Sequence, residues 1–298
     1  MRAREPDESG FAGGVYWERF GEGDPALLFV PPWAIVHSRI WKGQVPYFAQ
    51  HGRVVVFDPR GNGRSCRPRD PADYSEGHYA EDLLAVMDAS GTERAVVVSH
   101  SRGARRSLLF ADSHPERVLG LAFVGPTIPV ADVPLKRGGG GFEDVLDSHE
   151  GWAKWNAPYW RSNYRDFVEW FFETAFPEPH STKQIEDAVG YALDTDPETL
   201  IATAKAPVMQ AETVEEICSR VGCPVLVIHG EDDRIVDIAA GERLAELTGA
   251  PLMRIPGVGH CPQARKPVLV NIALREFVQA LERSPPALTQ DVRSVALG

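Results

Sequence analysis

The chain has 298 residues, 43% hydrophobic and 24% charged, long enough to bury a full core in one large α/β domain or in a domain carrying an insertion. Its formal net charge of −11 is spread along the sequence, which argues against nucleic acid or an anionic membrane as a partner. Cys66, Cys218, Cys223 and Cys261 show no CxxC or paired Cys/His spacing, so reduced, structural thiols and no metal are expected. The N-terminal MRAREPDESGFAGG lacks the apolar stretch of a signal peptide, and no run of ~18 apolar residues occurs anywhere, so a cytoplasmic protein is expected.

In chain order, GVYWERFGEGD (14–24) predicts an antiparallel strand and a turn. The apolar runs ALLFV (26–30), RVVVF (53–57), AVVVS (95–99), VLGLAFV (118–124), PVLVIH (224–229) and PLMRI (251–255) read as buried parallel strands. Amphipathic stretches between and after them predict helices at Trp41–His51, Tyr79–Ala89, Ala104–Ser113, Ala239–Leu247 and Val268–Leu281. This alternation implies an α/β fold with a doubly wound, mostly parallel sheet and helices on both faces.

The alternation stops between Thr127 and Ala211. Residues 127–211 are therefore expected to form an inserted helical lid, with 1–126 and 212–298 making up the core. The insert opens with the glycine run 138–141, read as a hinge or a loop, and holds four of the seven tryptophans. Most of its aromatics should pack a local core and a minority should face a pocket. The tail after Arg283 reads as weakly anchored.

The corner VVVSHSRGARRSLL (96–109) carries the chemistry. A small-x-Ser-x-small elbow needs small residues two positions either side of its serine. Centred on Ser101, the flanks are Ser99 and Gly103; centred on Ser99, one flank is the β-branched Val97. Ser101 is thus the nucleophile candidate, and a serine needs a histidine base held by a carboxylate. Downstream, VLVIH runs into Glu231, Asp232 and Asp233, which places carboxylates at the carboxyl end of a strand. RIPGVGHCP then sets His260 in a glycine-rich loop after the last strand. The order Ser, Asp, His is the one such a fold requires.

With LLFVPPW, FDPRGNGRS, SHSRGA, HGEDDRIV and PGVGHCP in order and in register, the sequence resembles the α/β-hydrolase fold superfamily over nearly its whole length. The resemblance implies Ser101 as nucleophile, His260 as general base and Asp233 as acid, since Gly230, Asp233 and Val236 fill the family's Gly-x-x-Asp-x-x-Val; Asp232 is the less favoured neighbour. It also implies an oxyanion hole from the backbone N–H groups of Arg102 and Trp33, although Pro31-Pro32 replaces the usual His-Gly and proline has no N–H. Trp33, His37, Trp155 and Trp160 are the expected substrate-binding residues.

FDPRGNGRS reads as a turn beside the elbow rather than a phosphate loop. Arg105 and Arg106 read as a solvated or ion-paired helix face rather than an anion clamp, and His100 as a packing residue.

The implied function is a cofactor-free serine hydrolase of a small to medium, largely apolar ester, lactone or thioester. Carbon–carbon hydrolysis, a haloperoxidase-like esterase and acyl transfer would use the same triad, and a ligand receptor with a slow triad is the non-enzyme alternative. Haloalkane dehalogenases and epoxide hydrolases are discounted because they carry Asp where Ser101 stands. The partner is a small molecule, and the reading leaves room for a homodimer.

Overall fold

The structure, a computed structural model, describes residues 5–130 and 141–283. Gly138–Gly140 of the glycine run and the tail after Arg283 lie outside the described residues. The strands are β1 (Glu8–Ala12), β2 (Val15–Phe20), β3 (Ala26–Val30), β4 (Val54–Phe57), β5 (Ala95–His100), β6 (Val118–Val124), β7 (Val225–Gly230) and β8 (Leu252–Ile255). They form one eight-stranded sheet in the order β1-β2-β4-β3-β5-β6-β7-β8. β1 and β2 pair antiparallel and β2 joins β4 antiparallel; every other pairing is parallel. β1 was not legible in the sequence: it is an edge strand whose Glu8 and Ser9 are exposed, so it has no buried alternation to show.

The helices are α1 (Val45–Phe48), α2 (Glu76–Ala89), α3 (Gly103–Ser113), α4 (Ala157–Ala175), α5 (Thr182–Ala192), α6 (Pro197–Lys205), α7 (Ala211–Arg220), α8 (Ile238–Thr248), α9 (Pro262–Arg265) and α10 (Pro267–Arg283). The helix expected at Trp41–His51 is instead a 3₁₀ turn at Ser38–Trp41 followed by the single-turn α1. Pro46 explains the break, because it cannot donate to the carbonyl one turn back.

Both faces of the central strands are buried. On β5, Val96 and Val98 join one apolar cluster with Phe29, Val124 and Ile228, while Val97 joins the other with Leu28, Leu121 and Val227. Such two-sided burial produces continuous apolar runs in the sequence. Helices α4, α5 and α6 follow β6; the aromatics of α4, Tyr191 of α5 and Leu200 and Ile201 of α6 belong to the same cluster as the first sheet face. α7 packs against α3 and α8, so the chain has returned to the helical layer beside the sheet by Ala211. No helix among the described residues is long and apolar enough to cross a membrane.

Candidate active site

β5 ends at His100, and Ser101 turns the chain into α3 with φ of 53°, in the left-handed region that bulky residues avoid. The corner is held by Ser101 N–H donating to Val124 O (3.1 Å) and by the Thr127 and Ala104 amides donating to Ser101 O. A Cβ on Gly103 would lie 2.9 Å from Pro31 O and 3.3 Å from Ser99 Cβ, which is why both flanks are small.

Ser101 Oγ lies 2.9 Å from His260 Nε2, and His260 Nδ1 lies 2.7 Å from Asp233 Oδ2. With Nδ1–H donating to the carboxylate, Nε2 is the acceptor for the serine O–H. Asp233 is buried and accepts four hydrogen bonds. Ile235 and Val236 amides reach Oδ1 at 2.8 and 2.9 Å, and His229 Nε2 shares Oδ2 with His260 at 3.1 Å. Burial alone would raise its carboxyl, but the charge of His260 and the two imidazole hydrogen bonds hold it well below the usual carboxylate range. Asp232 is exposed, its amide bonded to Val258 O.

Three neighbours of this line escaped the sequence reading. Thr127 Oγ1 sits 3.0 Å from Ser101 Oγ; since the serine donates to His260, Thr127 donates to the serine. His229 is fully buried with Nε2–H committed to Asp233, and Gly241 makes room for it, as a Cβ there would stand 2.4 Å from His229 Nδ1. The end of α4 braces the histidine loop: His260 N–H donates to Ala175 O (2.9 Å) and Gly259 N–H to Glu178 Oε1 (2.6 Å). The Thr127, Ala175 and Glu178 contacts join segments distant in the sequence, and His229, although only four residues before Asp233, belongs to no motif that announces its role. His100 does pack, its ring centroid 4.9 Å from that of His260 and its Nδ1–H donating to Val124 O. Burial, reinforced by nearby His260, lowers its pKa to about 3.

Above Ser101 and His260 opens a cavity with about 700 Å³ of empty space, its solvent-open mouth included. Its walls are mostly apolar, from Trp33, Ile35, Val36 and Ile40 on one side and Trp152, Trp155, Phe171 and Phe172 on the other. Arg102 and Thr127 also reach it. The Trp33 ring stands 5.0 Å from that of Trp155, and its Nε1–H donates to Thr203 Oγ1 (2.6 Å).

Two expected substrate-binding residues lie elsewhere. His37 is not on the cavity wall: it bonds Asp194 (3.2 Å), stands 3.6 Å from Asp58 and meets the Tyr191 ring. Burial lowers its pKa, partly offset by the two aspartates. Trp160 is fully buried, stacked on Phe167 at 4.4 Å with its Nε1–H on Lys154 O, so it is core. Of the two readings of Arg105 and Arg106, the structure bears out the ion-paired one and not the solvated one: they are only 1% and 2% exposed. Arg105 Nε donates to Thr127 O (2.9 Å) and Arg106 to the carbonyls of Pro32 (2.8 Å) and Pro31 (3.4 Å), while both approach Glu76. In FDPRGNGRS, Asp58 accepts from Ser38 Oγ (2.7 Å) and Asn62 donates to Ala34 O (2.9 Å), fastening the loop that follows Trp33.

The family model for the alpha/beta hydrolase fold matches residues 25–267. The chain belongs to the α/β hydrolase family. It is similar to a bifunctional esterase/perhydrolase of Acinetobacter calcoaceticus, 28% identical over 276 residues that cover 89% of this chain and 96% of that protein. Among solved structures it is similar to Est816, described as an N-acyl homoserine lactone degrading enzyme, with 27% identity, a TM-score of 0.71 and coverage of 91% of this chain and 100% of that one. The esterase RhEst1 from Rhodococcus sp. ECU1013 shares the fold at 23% identity and a TM-score of 0.74, covering 92% of this chain and 98% of that one.

Proposed function

We propose that the protein is a serine hydrolase of small to medium, largely apolar carboxylic esters, lactones or thioesters. The reading rests on the 2.9 and 2.7 Å spacing that joins Ser101, His260 and Asp233 at the floor of an apolar cavity. Its relatives, named as an esterase/perhydrolase and a lactone-degrading enzyme, point the same way.

In this mechanism His260 Nε2 takes the Ser101 proton as Oγ attacks the substrate carbonyl carbon, and Asp233 stabilises the imidazolium that forms. The Trp33 and Arg102 amides bind the oxyanion, each worth ~3 kcal/mol of transition-state stabilisation. The imidazolium protonates the leaving group, leaving an acyl-enzyme. Water, deprotonated by His260, then attacks the acyl carbon and Ser101 Oγ leaves with a proton. Residues 127–211 act as a lid over the core of 1–126 and 212–298; within it Trp152, Trp155, Phe171 and Phe172 exclude water from the bound acyl or alkyl group.

Fluorophosphonate labelling with peptide mapping tests the reading. Label is expected on Ser101 and absent from Ser101→Ala; attachment at Ser99, or labelling that persists in the variant, overturns it. Asp233→Asn should lower ester turnover by on the order of 10²–10⁴-fold, as expected when the base loses its orienting carboxylate. Asp232→Asn, altering an exposed side chain, should leave turnover nearly unchanged.

A further inference from the structure

Thr127 follows β6 and lines the catalytic cavity, with its buried hydroxyl 3.0 Å from Ser101 Oγ. Its position is fixed through its backbone. Thr127 N–H donates to Ser101 O (3.0 Å), and Thr127 O accepts from Arg105 Nε (2.9 Å). Two residues upstream, Gly125 has φ of 53°, and a Cβ there would stand 2.7 Å from His260 O, so this segment also lies directly against the base.

The amides of Trp33 and Arg102 address the substrate's carbonyl oxygen, whereas Thr127 addresses the serine oxygen, and the strength of that hydrogen bond changes along the reaction. In the free enzyme Ser101 Oγ is an alcohol oxygen and accepts well. In the acyl-enzyme it is an ester oxygen whose lone pair is delocalised into the carbonyl, and it accepts poorly. When water adds to the acyl carbon, its proton passes to His260 Nε2 and the carbonyl pair moves onto the oxyanion, which frees the lone pair on Oγ. The oxyanion pair then re-forms the carbonyl, the bond between the acyl carbon and Oγ breaks with its electrons going to Oγ, and His260 delivers the proton there.

Thr127 keeps its own proton throughout and donates to an oxygen on which negative charge is growing. Such a charge-assisted hydrogen bond is about twice as strong as a neutral one. An interaction speeds a step only where it is stronger in the transition state than in the state before it. Acylation starts from an alcohol oxygen already bonded to Thr127 and gains little. Deacylation starts from the weakly accepting ester and gains most.

We propose that Thr127 is a catalytic residue of the second half-reaction, donating to Ser101 Oγ as that oxygen leaves the acyl carbon. The inference rests on the hydrolase reading above and assigns that site a further residue.

The test uses the best substrate among p-nitrophenyl esters from acetate to octanoate, at saturating concentration, with rapid quenching in the steady state and intact-mass measurement of acylated and unacylated enzyme. Their ratio equals the rate constant of acylation over that of deacylation, whichever step is slower. In Thr127→Val, which keeps the shape and removes the donor, the ratio should rise about tenfold above wild type. The deacylation constant, kcat divided by the acylated fraction, should fall by a similar factor. Thr127→Ser should bring both back toward wild type. Misfolded protein is not acylated and lowers the ratio, so it cannot imitate the rise; Thr127→Ala is read in the same way if Thr127→Val does not fold.

A ratio at or below the wild-type value in these variants, or no detectable acyl-enzyme in them, overturns the role. Equal losses in both half-reactions are one such result and would make Thr127 a donor to the oxyanion instead. Wild-type protein that releases no p-nitrophenol and gains no acyl mass from any of the esters removes the hydrolase reading, and this role with it.

Discussion

Ser101 illustrates how much a single residue depends on its neighbours. Its positive φ is tolerated because Gly103 lets the Pro31 carbonyl approach, and its hydroxyl is oriented by Thr127 and His260 together. Asp233 is arranged in the same spirit, with two backbone amides and two imidazoles around one carboxylate. His229→Phe should remove one of those donors from a fully buried site, and a loss of about 1–3 kcal/mol is expected in urea unfolding, with a fall in ester turnover. Unchanged stability would show that the His229 hydrogen bond adds nothing net. Thr127, Arg105 and His229 carry no motif; their roles come from contacts with Ser101, the Thr127 carbonyl and Asp233.

At the scale of elements, the strands were nearly all legible, because two-sided burial leaves apolar runs that end in turn residues. The aromatics between Trp152 and Phe172 were legible as a group but not individually, since periodicity does not say which neighbour each side chain meets. Trp160 and Trp152 separate the two outcomes. Trp160→Ala, emptying a fully buried site, should cost about 3–5 kcal/mol by denaturant unfolding. Trp152→Ala, on the cavity wall, should cost far less stability and instead raise KM for apolar esters. The α4 terminus also holds the His260 loop, through the His260 N–H donating to Ala175 O. A smaller element contact makes a similar point: Gly241→Ala on α8 should displace His229 and cost about 1–3 kcal/mol from overpacking.

For the whole molecule, buried ionisable groups set the response to acid. His100 is held to about 3 in the fold against 6.5 when free, and His37 is lowered as well. Below 6.5 the unfolded chain therefore binds protons that the folded chain refuses, and stability falls as the pH drops through the interval from 6.5 to about 3. Asp233 acts in the same direction further down: its depressed pKa contributes stability above the ordinary aspartate range that is lost as pH falls through the folded value. Urea unfolding as a function of pH should show a slope of up to ~1.4 kcal/mol per unit from His100, flattened in His100→Gln. An unaltered slope in that variant would assign the acid sensitivity to other groups.

The sequence by itself determined the sheet apart from its edge strand β1, the α/β alternation, the elbow and the order of Ser101, Asp233 and His260, because strand burial, turn sterics and motif spacing are local properties written in consecutive residues. Only the tertiary structure decided that His37 and Trp160 stay off the cavity wall, that Arg105 and Arg106 are buried, and that Thr127, His229 and Ala175 serve the same site. Those facts depend on which distant side chains share a space, and packing across the fold, rather than residue type or period, sets that.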